Sequence, residues 1–330
     1  MRLFADKLTD KVLQGKEITL DEAEILMGIK EQKDLVHLLS CANIIRGEFK
    51  GNAIDFCSII NAKSGKCSED CTFCSQSAHY NADIKSYPLI AKEEIIKKAQ
   101  KAASLGINRF SIVASGRALG NKEEWDNICE AINLISSMGI IKTCASLGTL
   151  TREAARDLKG AGLTRYHHNL ETAESYFPAV CTTHSFLERA NTVVTAHEEG
   201  LEICSGGLMG LGETPKHRIE LAFALRDLAV DSIPINILNP IAKTPLEKAA
   251  PVHPMEILKI IAVYRFVNPK KGIRLCGGRQ KNLRAVQSLI FLAGANGVMT
   301  GDYLTTPGCD IKDDLQMIKD LMLTPVGDGA

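Results

Sequence analysis

No unbroken apolar run in these 330 residues approaches the roughly 20 needed to cross a bilayer. Charge of one sign is not in surplus either. The 39 Lys and Arg side chains offset 39 Asp and Glu, with no long block of like charge. Nothing therefore points to nucleic acid or an anionic membrane surface as a partner. The start, Met1-Arg2-Leu3-Phe4-Ala5-Asp6-Lys7, lacks an apolar signal core and carries acidic residues early. That argues against a secretory or transit peptide and for a cytoplasmic chain. Linkers rich in Pro, Gly or Ser and low-complexity segments are missing as well. One domain is expected, a barrel over 51–330 with an N-terminal helical extension over 1–50.

Cysteine is what the chain has in quantity, 11 in all. A chain of this length needs no disulfide staples, and an odd number does not pair off. Metal ligation by reduced thiols is the better account, and it suits a reducing or anaerobic interior. Three cysteines form Cys-x-x-x-Cys-x-x-Cys: Cys67, Cys71 and Cys74. Three thiolates in one short loop can hold three corners of a [4Fe–4S] cluster and leave one iron open to a small molecule. The plainer alternative is zinc, which usually takes paired Cys-x-x-Cys units or added His ligands and closes at four donors. No second pair exists, and the nearest histidine, His79, sits in a polar loop. The triad resembles the signature of the radical SAM superfamily, which implies S-adenosylmethionine at the open iron.

Beyond the first fifty residues, where helices begin at Leu20 and over 34–45, the pattern becomes a repeated strand–helix unit. Strands are expected at 53–60, 109–114, 141–146, 164–170, 201–205, 232–238, 272–276 and 297–300. Amphipathic helices are expected at 92–104, 122–138, 152–160, 185–199, 216–228, 254–266, 281–292 and 311–321. Eight such units predict a (β/α)8 TIM barrel, with an open doubly wound sheet as the alternative.

The active face of a barrel is the C-terminal end of its strands. Those ends carry Cys57, then Arg109 and Ser111, Cys144, the set His167, Asn169 and Glu171, Cys204, Asn236, and last Arg274 with Cys276. Alternation points Arg274 and Cys276 the same way, and likewise His167, Asn169 and Glu171. Each cysteine alone reads as a small buried hydrophobe. Four from four strands, beside a reactive cluster, read as a second metal cluster. Cys41, Cys129, Cys181 and Cys309 fall on helices or loops and are expected to be structural.

From about Asn52 onward the chain is similar to the biotin synthase family. The resemblance rests on several segments in order: Gly65–Ser77 (GKCSEDCTFCSQS), LGTL from Leu147, YHHNLET from Tyr166, CSGGLMGLGET from Cys204, PINIL from Pro234, IRLCGGR from Ile273 and LAGANGVMTGD from Leu292. It implies that Cys67, Cys71 and Cys74 hold a [4Fe–4S] cluster, and that an electron from a flavodoxin or ferredoxin cleaves S-adenosylmethionine to methionine and a 5′-deoxyadenosyl radical. That radical takes hydrogen from dethiobiotin, and sulfur from an auxiliary cluster traps the carbon. A second S-adenosylmethionine closes the ring.

Residue by residue, Arg189 matches the arginine that pairs with the S-adenosylmethionine carboxylate, against a plain reading as a solvated helix charge. Asn169 and Glu171 match ribose contacts, with Asp common where Glu171 stands. Phe73 lies where an aromatic ring meets the adenine, and Gly206, Leu208, Gly210 and Glu213 follow the superfamily's glycine pattern. Asn169 and Asn236 match contacts to the ureido ring. His167 stands where Asn is common and is either a substrate contact or a satisfied core histidine. The family is often dimeric.

One departure stands out. Better-known members hold a [2Fe–2S] auxiliary cluster with three cysteines and an arginine. Cys144, Cys204 and Arg274 match three of these, but the remaining cysteine falls at Ser111. Cys57 and Cys276 stand where serine is common. The expectation is a rearranged auxiliary cluster, four-iron rather than two-iron, on Cys144, Cys204 and Cys276, with Cys57 as a candidate fourth ligand; with three ligands, the fourth iron is open to an exchangeable sulfide. Related radical SAM enzymes, such as hydrogenase maturases and methylornithine synthases, share the triad without needing the strand cysteines. A non-catalytic electron-transfer protein would need full ligation and no substrate cavity.

Overall fold

Along Ala53–Lys63, strand β1, buried and half-buried side chains alternate over most of the length, as a strand between a barrel interior and a helical layer requires. The computed structural model describes residues 1–326. Three helices precede β1: α1 (Arg2–Leu13), α2 (Leu20–Met27) and α3 (Gln32–Lys50). After it run α4 (Lys92–Ser104), β2 (Arg109–Ala114), α5 (Lys122–Met138), β3 (Lys142–Ser146), α6 (Arg152–Gly160), β4 (Arg165–His167), α7 (Phe186–Glu198), β5 (Glu202–Cys204) and β6 (Gly207–Met209). Then come α8 (Pro215–Asp227), β7 (Ser232–Ile237), α9 (Pro254–Val267), β8 (Gly272–Leu275), the short α10 (Arg279–Leu283) and α11 (Leu289–Leu292), β9 (Gly297–Met299), α12 (Ile311–Asp320) and β10 (Thr324–Pro325).

β1, β2, β3, β4, β5, β7, β8 and β9 pair in that order, and all the pairings are parallel. β9 pairs back onto β1, with Asp55 opposite Gly297 and Cys57 opposite Met299. That pairing closes a (β/α)8 barrel and rules out the open sheet. Helix starts are set locally. Thr19, Ser185 and Thr214 cap α2, α7 and α8 through reciprocal capping boxes, and Pro215 and Pro254 open α8 and α9. α9 is buried on nearly every side because α2 and α3 cover the face turned away from the barrel. Its fully buried Arg265 donates to the carbonyls of Gly294, Asn268, Pro269 and Lys271 and to Asn296 Oδ1, at 2.8–3.3 Å. Burial pushes that guanidinium down to about 9. No helix among the described residues is long and apolar enough to cross a membrane.

Several expected elements differ. The strand at 201–205 is interrupted: β5 stops at Cys204, and β6 resumes the pairing with β7 from Gly207. The strand at 164–170 shortens to β4. The helix at 281–292 is broken into α10, a short 3₁₀ turn and α11, because Arg284 takes a left-handed φ of 52°. Arg279 anchors this segment through both oxygens of buried Asp314, at 2.8 and 2.9 Å. α1 and β10 were not expected as separate elements; β10 extends the sheet beside the start of β1.

Candidate active site

β1 ends at Lys63, and the chain turns through Gly65 and Lys66 at φ 78° and 54°. A Cβ at position 65 would meet Ser86 Oγ at 2.5 Å, so the turn requires glycine. The loop is closed by its own backbone. The Cys67 N–H donates to the Gln76 carbonyl at 3.0 Å, Ala78 N–H to the Cys67 carbonyl at 2.7 Å, and Cys74 N–H to the Cys71 carbonyl at 2.9 Å. Cys67, Cys71 and Cys74 thus share one tight loop at the C-terminal end of β1, with Cys71 buried and the other two half-buried. The donor set, three free thiols, fits three corners of a four-iron cluster.

The segment before α7 braces this loop. Thr72 N–H donates to the Val180 carbonyl at 2.9 Å, and the Asp70 carboxylate accepts from the backbone N–H groups of Thr182 and Thr183 at 2.9 and 3.2 Å. Cys181 Sγ lies 3.8 Å from Cys71 Sγ and 3.1 Å from Asp70 Oδ1, and His184 Nδ1 lies 2.5 Å from Glu69 Oε2. Cys71, Cys181 and His184 put donor atoms within 4.8 Å of one another. Cys181 and His184 are already engaged by Asp70 and Glu69, and stand behind the triad. These four neighbours were not expected at the site. The Cys-x-x-His spacing of Cys181 and His184 was the available signal.

Inside the barrel the strand ends enclose a cavity of about 330 Å³. Cys57, Ser111, Cys144, Cys204, Arg274 and Cys276 all line it. Register explains the convergence. Ser111 pairs with Cys144 and His167 with Cys204, so neighbours on the inner face form layers. The floor is charged. Arg274 pairs with Asp55 and donates to Ser232 Oγ at 3.0 Å, and Arg109 and Arg165 share Glu202 at 3.0 and 2.8 Å. Nη1 of both Arg109 and Arg165 is buried without a partner among the described residues. Three guanidiniums against two carboxylates, with two orphaned donors, suit an anionic occupant. Burial pushes the Cys144 thiol up to about 11 and also raises Cys57 and Cys276. Burial acts the same way on Cys204, but His167, Arg274 and Arg165 outweigh it and hold that thiol at about 6. Soft thiol donors over a cationic floor fit an iron–sulfur cluster; the Ser111 hydroxyl is a poor iron ligand.

Phe73, His167, Asn169, Glu171, Leu208 and Asn236 line the same cavity. Asn169 Oδ1 accepts from Gly206 N–H at 3.2 Å, and its Nδ2 donates to Glu171 Oε2 at 3.3 Å. Asn236 Oδ1 accepts from Gly277 N–H at 2.9 Å. Both amide oxygens are thus engaged by the backbone; with one N–H of Asn169 on Glu171 and one of Asn236 on the Gly207 carbonyl at 3.5 Å, each amide keeps one N–H donor suited to a ligand carbonyl. Glu171 is held at φ 70° by bonds of its backbone to Gly206 and Leu208. Left-handed backbone at a non-glycine residue costs about 1–2 kcal/mol and tends to cluster at functional sites.

Arg189 and Gly206 are outside the cavity wall. Arg189 lies beside it, donating through Nη1 to the Asn169 carbonyl at 2.9 Å, with Glu171 Oε1 3.8 Å away. Gly206 answers first to packing, since a Cβ there would sit 2.0 Å from the Pro234 carbonyl oxygen. Glu213 accepts from the Gly210 and Leu211 N–H groups at 2.9 and 2.6 Å and pairs with Arg218 at 2.7 Å, which makes it the brace of that turn.

The Radical SAM superfamily pattern matches residues 62–225, and that of the Biotin and Thiamin Synthesis associated domain matches residues 234–324. The biotin synthase of Pelotomaculum thermopropionicum is 47% identical over 319 residues, covering 97% of this chain and 99% of its own. That of Geobacter sulfurreducens is 48% identical over 321 residues, covering 97% of each. Among solved structures, a methylornithine synthase superposes with a TM-score of 0.84 at 21% identity, covering 97% of both chains. A FeFe-hydrogenase maturase from Carboxydothermus hydrogenoformans gives 0.82 at 19% identity, covering 97% of this chain and 79% of its own. At such identities these two likenesses speak for the fold alone.

Proposed function

The chain belongs to the biotin synthase family of radical SAM enzymes, and on that premise we propose how its residues divide the work of inserting sulfur into dethiobiotin. When bound, a [4Fe–4S] cluster would supply the electron for cleavage of S-adenosylmethionine, the source of the hydrogen-abstracting radical. Cys67, Cys71 and Cys74 hold that cluster. Arg189 takes the S-adenosylmethionine carboxylate, Asn169 and Glu171 take its ribose, and Phe73, Leu208 and the backbone at Gly206 flank the adenine. Asn169 and Asn236 donate to the ureido carbonyl of dethiobiotin from fixed amides, with His167 beside them. The cavity wall keeps water from the reacting carbons.

Cys57, Cys144, Cys204 and Cys276 would hold an auxiliary cluster, four-iron rather than [2Fe–2S], that would supply the sulfur. Arg274 is bound to Asp55 and Ser232. Its role in this reading is to neutralise charge at the cluster. A flavodoxin or ferredoxin supplies the electron, in a cytoplasmic homodimer.

The observation that carries this reading is the convergence of four strand cysteines on one cavity with two pre-oriented asparagines. Reconstituted protein, held anaerobically with dethiobiotin, S-adenosylmethionine and a strong reductant, is expected to yield biotin together with deoxyadenosine by mass spectrometry. Deoxyadenosine without biotin would overturn the sulfur-insertion assignment.

A further inference from the structure

A row of three side chains runs from the cluster loop to the arginine beside the cavity. Glu69 lies between Cys67 and Cys71, and its Oε2 is 2.5 Å from His184 Nδ1. On the other edge of the ring, His184 Nε2 accepts from Arg189 Nε at 2.9 Å. An arginine Nε–H can only donate. Nε2 must therefore be the unprotonated nitrogen, and the ring proton sits on Nδ1, facing the Glu69 carboxylate. Cys181 Sγ also approaches Nδ1, at 3.3 Å. The tautomer is fixed from both sides. Phe177 packs edge-on against the imidazole at 5.6 Å between centroids, and the Arg189 guanidinium lies over the Phe177 ring at 5.9 Å.

The consequence lies in the guanidinium. Nε of Arg189 is taken by His184, and Nη1 donates to the Asn169 carbonyl at 2.9 Å. Nη2 makes no hydrogen bond among the described residues. The plane and tilt of the fork are thus set before any ligand arrives, with its remaining donors open to a carboxylate.

We propose that His184 is a positioning residue for S-adenosylmethionine. Anchored by Glu69 of the cluster loop, it holds Nε of Arg189 so that the guanidinium meets the ligand carboxylate in one orientation, in register with the open iron. This rests on the assignment of the S-adenosylmethionine carboxylate to Arg189. A pre-set fork loses less side-chain freedom on binding than a free one, so the row acts on affinity rather than on chemistry.

The test is a titration of reconstituted enzyme with S-adenosylmethionine, read as the change it makes in the cluster EPR signal, with iron content measured on the same samples. His184→Phe keeps a ring of similar bulk but neither hydrogen bond. It is expected to weaken S-adenosylmethionine about tenfold, the order expected for one hydrogen bond to a charged group, with triad iron retained. His184→Gln can accept from Arg189 and donate to Glu69, and should restore affinity to within about threefold. Glu69→Ala, which frees the far edge of the imidazole, should weaken binding in the same direction. Unchanged affinity in His184→Phe, with Arg189→Ala impaired, would overturn the positioning role and leave the Arg189 assignment standing. Unchanged affinity in Arg189→Ala would overturn the Arg189 assignment and this inference with it. Loss of triad iron in His184→Phe and in His184→Gln alike would make His184 a scaffold of the cluster loop, and would equally overturn the proposal.

Discussion

Replacing Cys276 with serine tests the proposed auxiliary cluster apart from everything else in the barrel. The side chain is 1% exposed, at the end of β8, on the cavity wall with Cys57, Cys144 and Cys204. Sulfur and oxygen differ little in shape, so packing survives. The price is a buried hydroxyl without an assured partner, about 1–3 kcal/mol, which a barrel of this size tolerates. Ligation does not survive, because a serine oxygen is a poor substitute for thiolate on iron. With two four-iron clusters the reconstituted chain should carry about eight irons, against about six if the second cluster were [2Fe–2S]. In Cys276→Ser the count should fall toward the triad's own irons, about four per chain. Deoxyadenosine should still form, because Cys67, Cys71, Cys74 and Arg189 are untouched, while biotin should vanish. Iron assay, Mössbauer spectroscopy and mass spectrometry of both products read these outcomes, and circular dichroism checks the fold. Full iron and undiminished biotin would refute the role given to Cys276 and, with it, the four-cysteine cluster.

Asn236→Asp keeps an acceptor for Gly277 N–H but faces the ureido carbonyl with an oxygen; KM for dethiobiotin should rise at least tenfold, about 1.4 kcal/mol, and an unchanged KM would remove Asn236 from the substrate site. Glu171→Gly relieves left-handed strain of about 1–2 kcal/mol against about 1 kcal/mol of added chain entropy; thermal stability should hold or rise while the EPR titration shows weaker S-adenosylmethionine, and unchanged affinity would reduce Glu171 to a structural turn. Arg265→Met leaves the carbonyls of Gly294, Asn268, Pro269 and Lys271 without their donor and should cost about 3–5 kcal/mol in denaturant unfolding; a loss under 1 kcal/mol would mean that water reaches these groups.

What sequence reasoning could and could not reach follows from the range of the forces involved. Strand alternation and helical periodicity are local, so all eight barrel strands were legible, and with them the side on which Cys57, Cys144, Cys204 and Cys276 would gather. The interruption at Ser205–Gly206 was not, because it answers to Pro234 on another strand: the carbonyl that leaves no room for a Cβ at Gly206 is supplied by β7. The break at Arg284 has the same character, since the segment is held by Arg279 reaching Asp314, 35 residues away. The brace behind the triad is the sharpest case. Cys71 and Cys181 are 110 residues apart, and Glu69 and His184 are 115 apart. A cysteine on a loop reads as an inert small residue until the fold sets it against a proposed ligand. The charged floor is hidden for a further reason. Arg109, Arg165, Asp55 and Glu202 are inward-facing charges on four strands, which taken singly contradict the apolar pattern of a barrel interior. Only the closed register makes them one layer, with two guanidinium donors left over. Buried charge without full compensation is costly enough that a fold retains it where something anionic is to be held. The same residues that break the local pattern are therefore the ones that mark the place proposed for the auxiliary cluster.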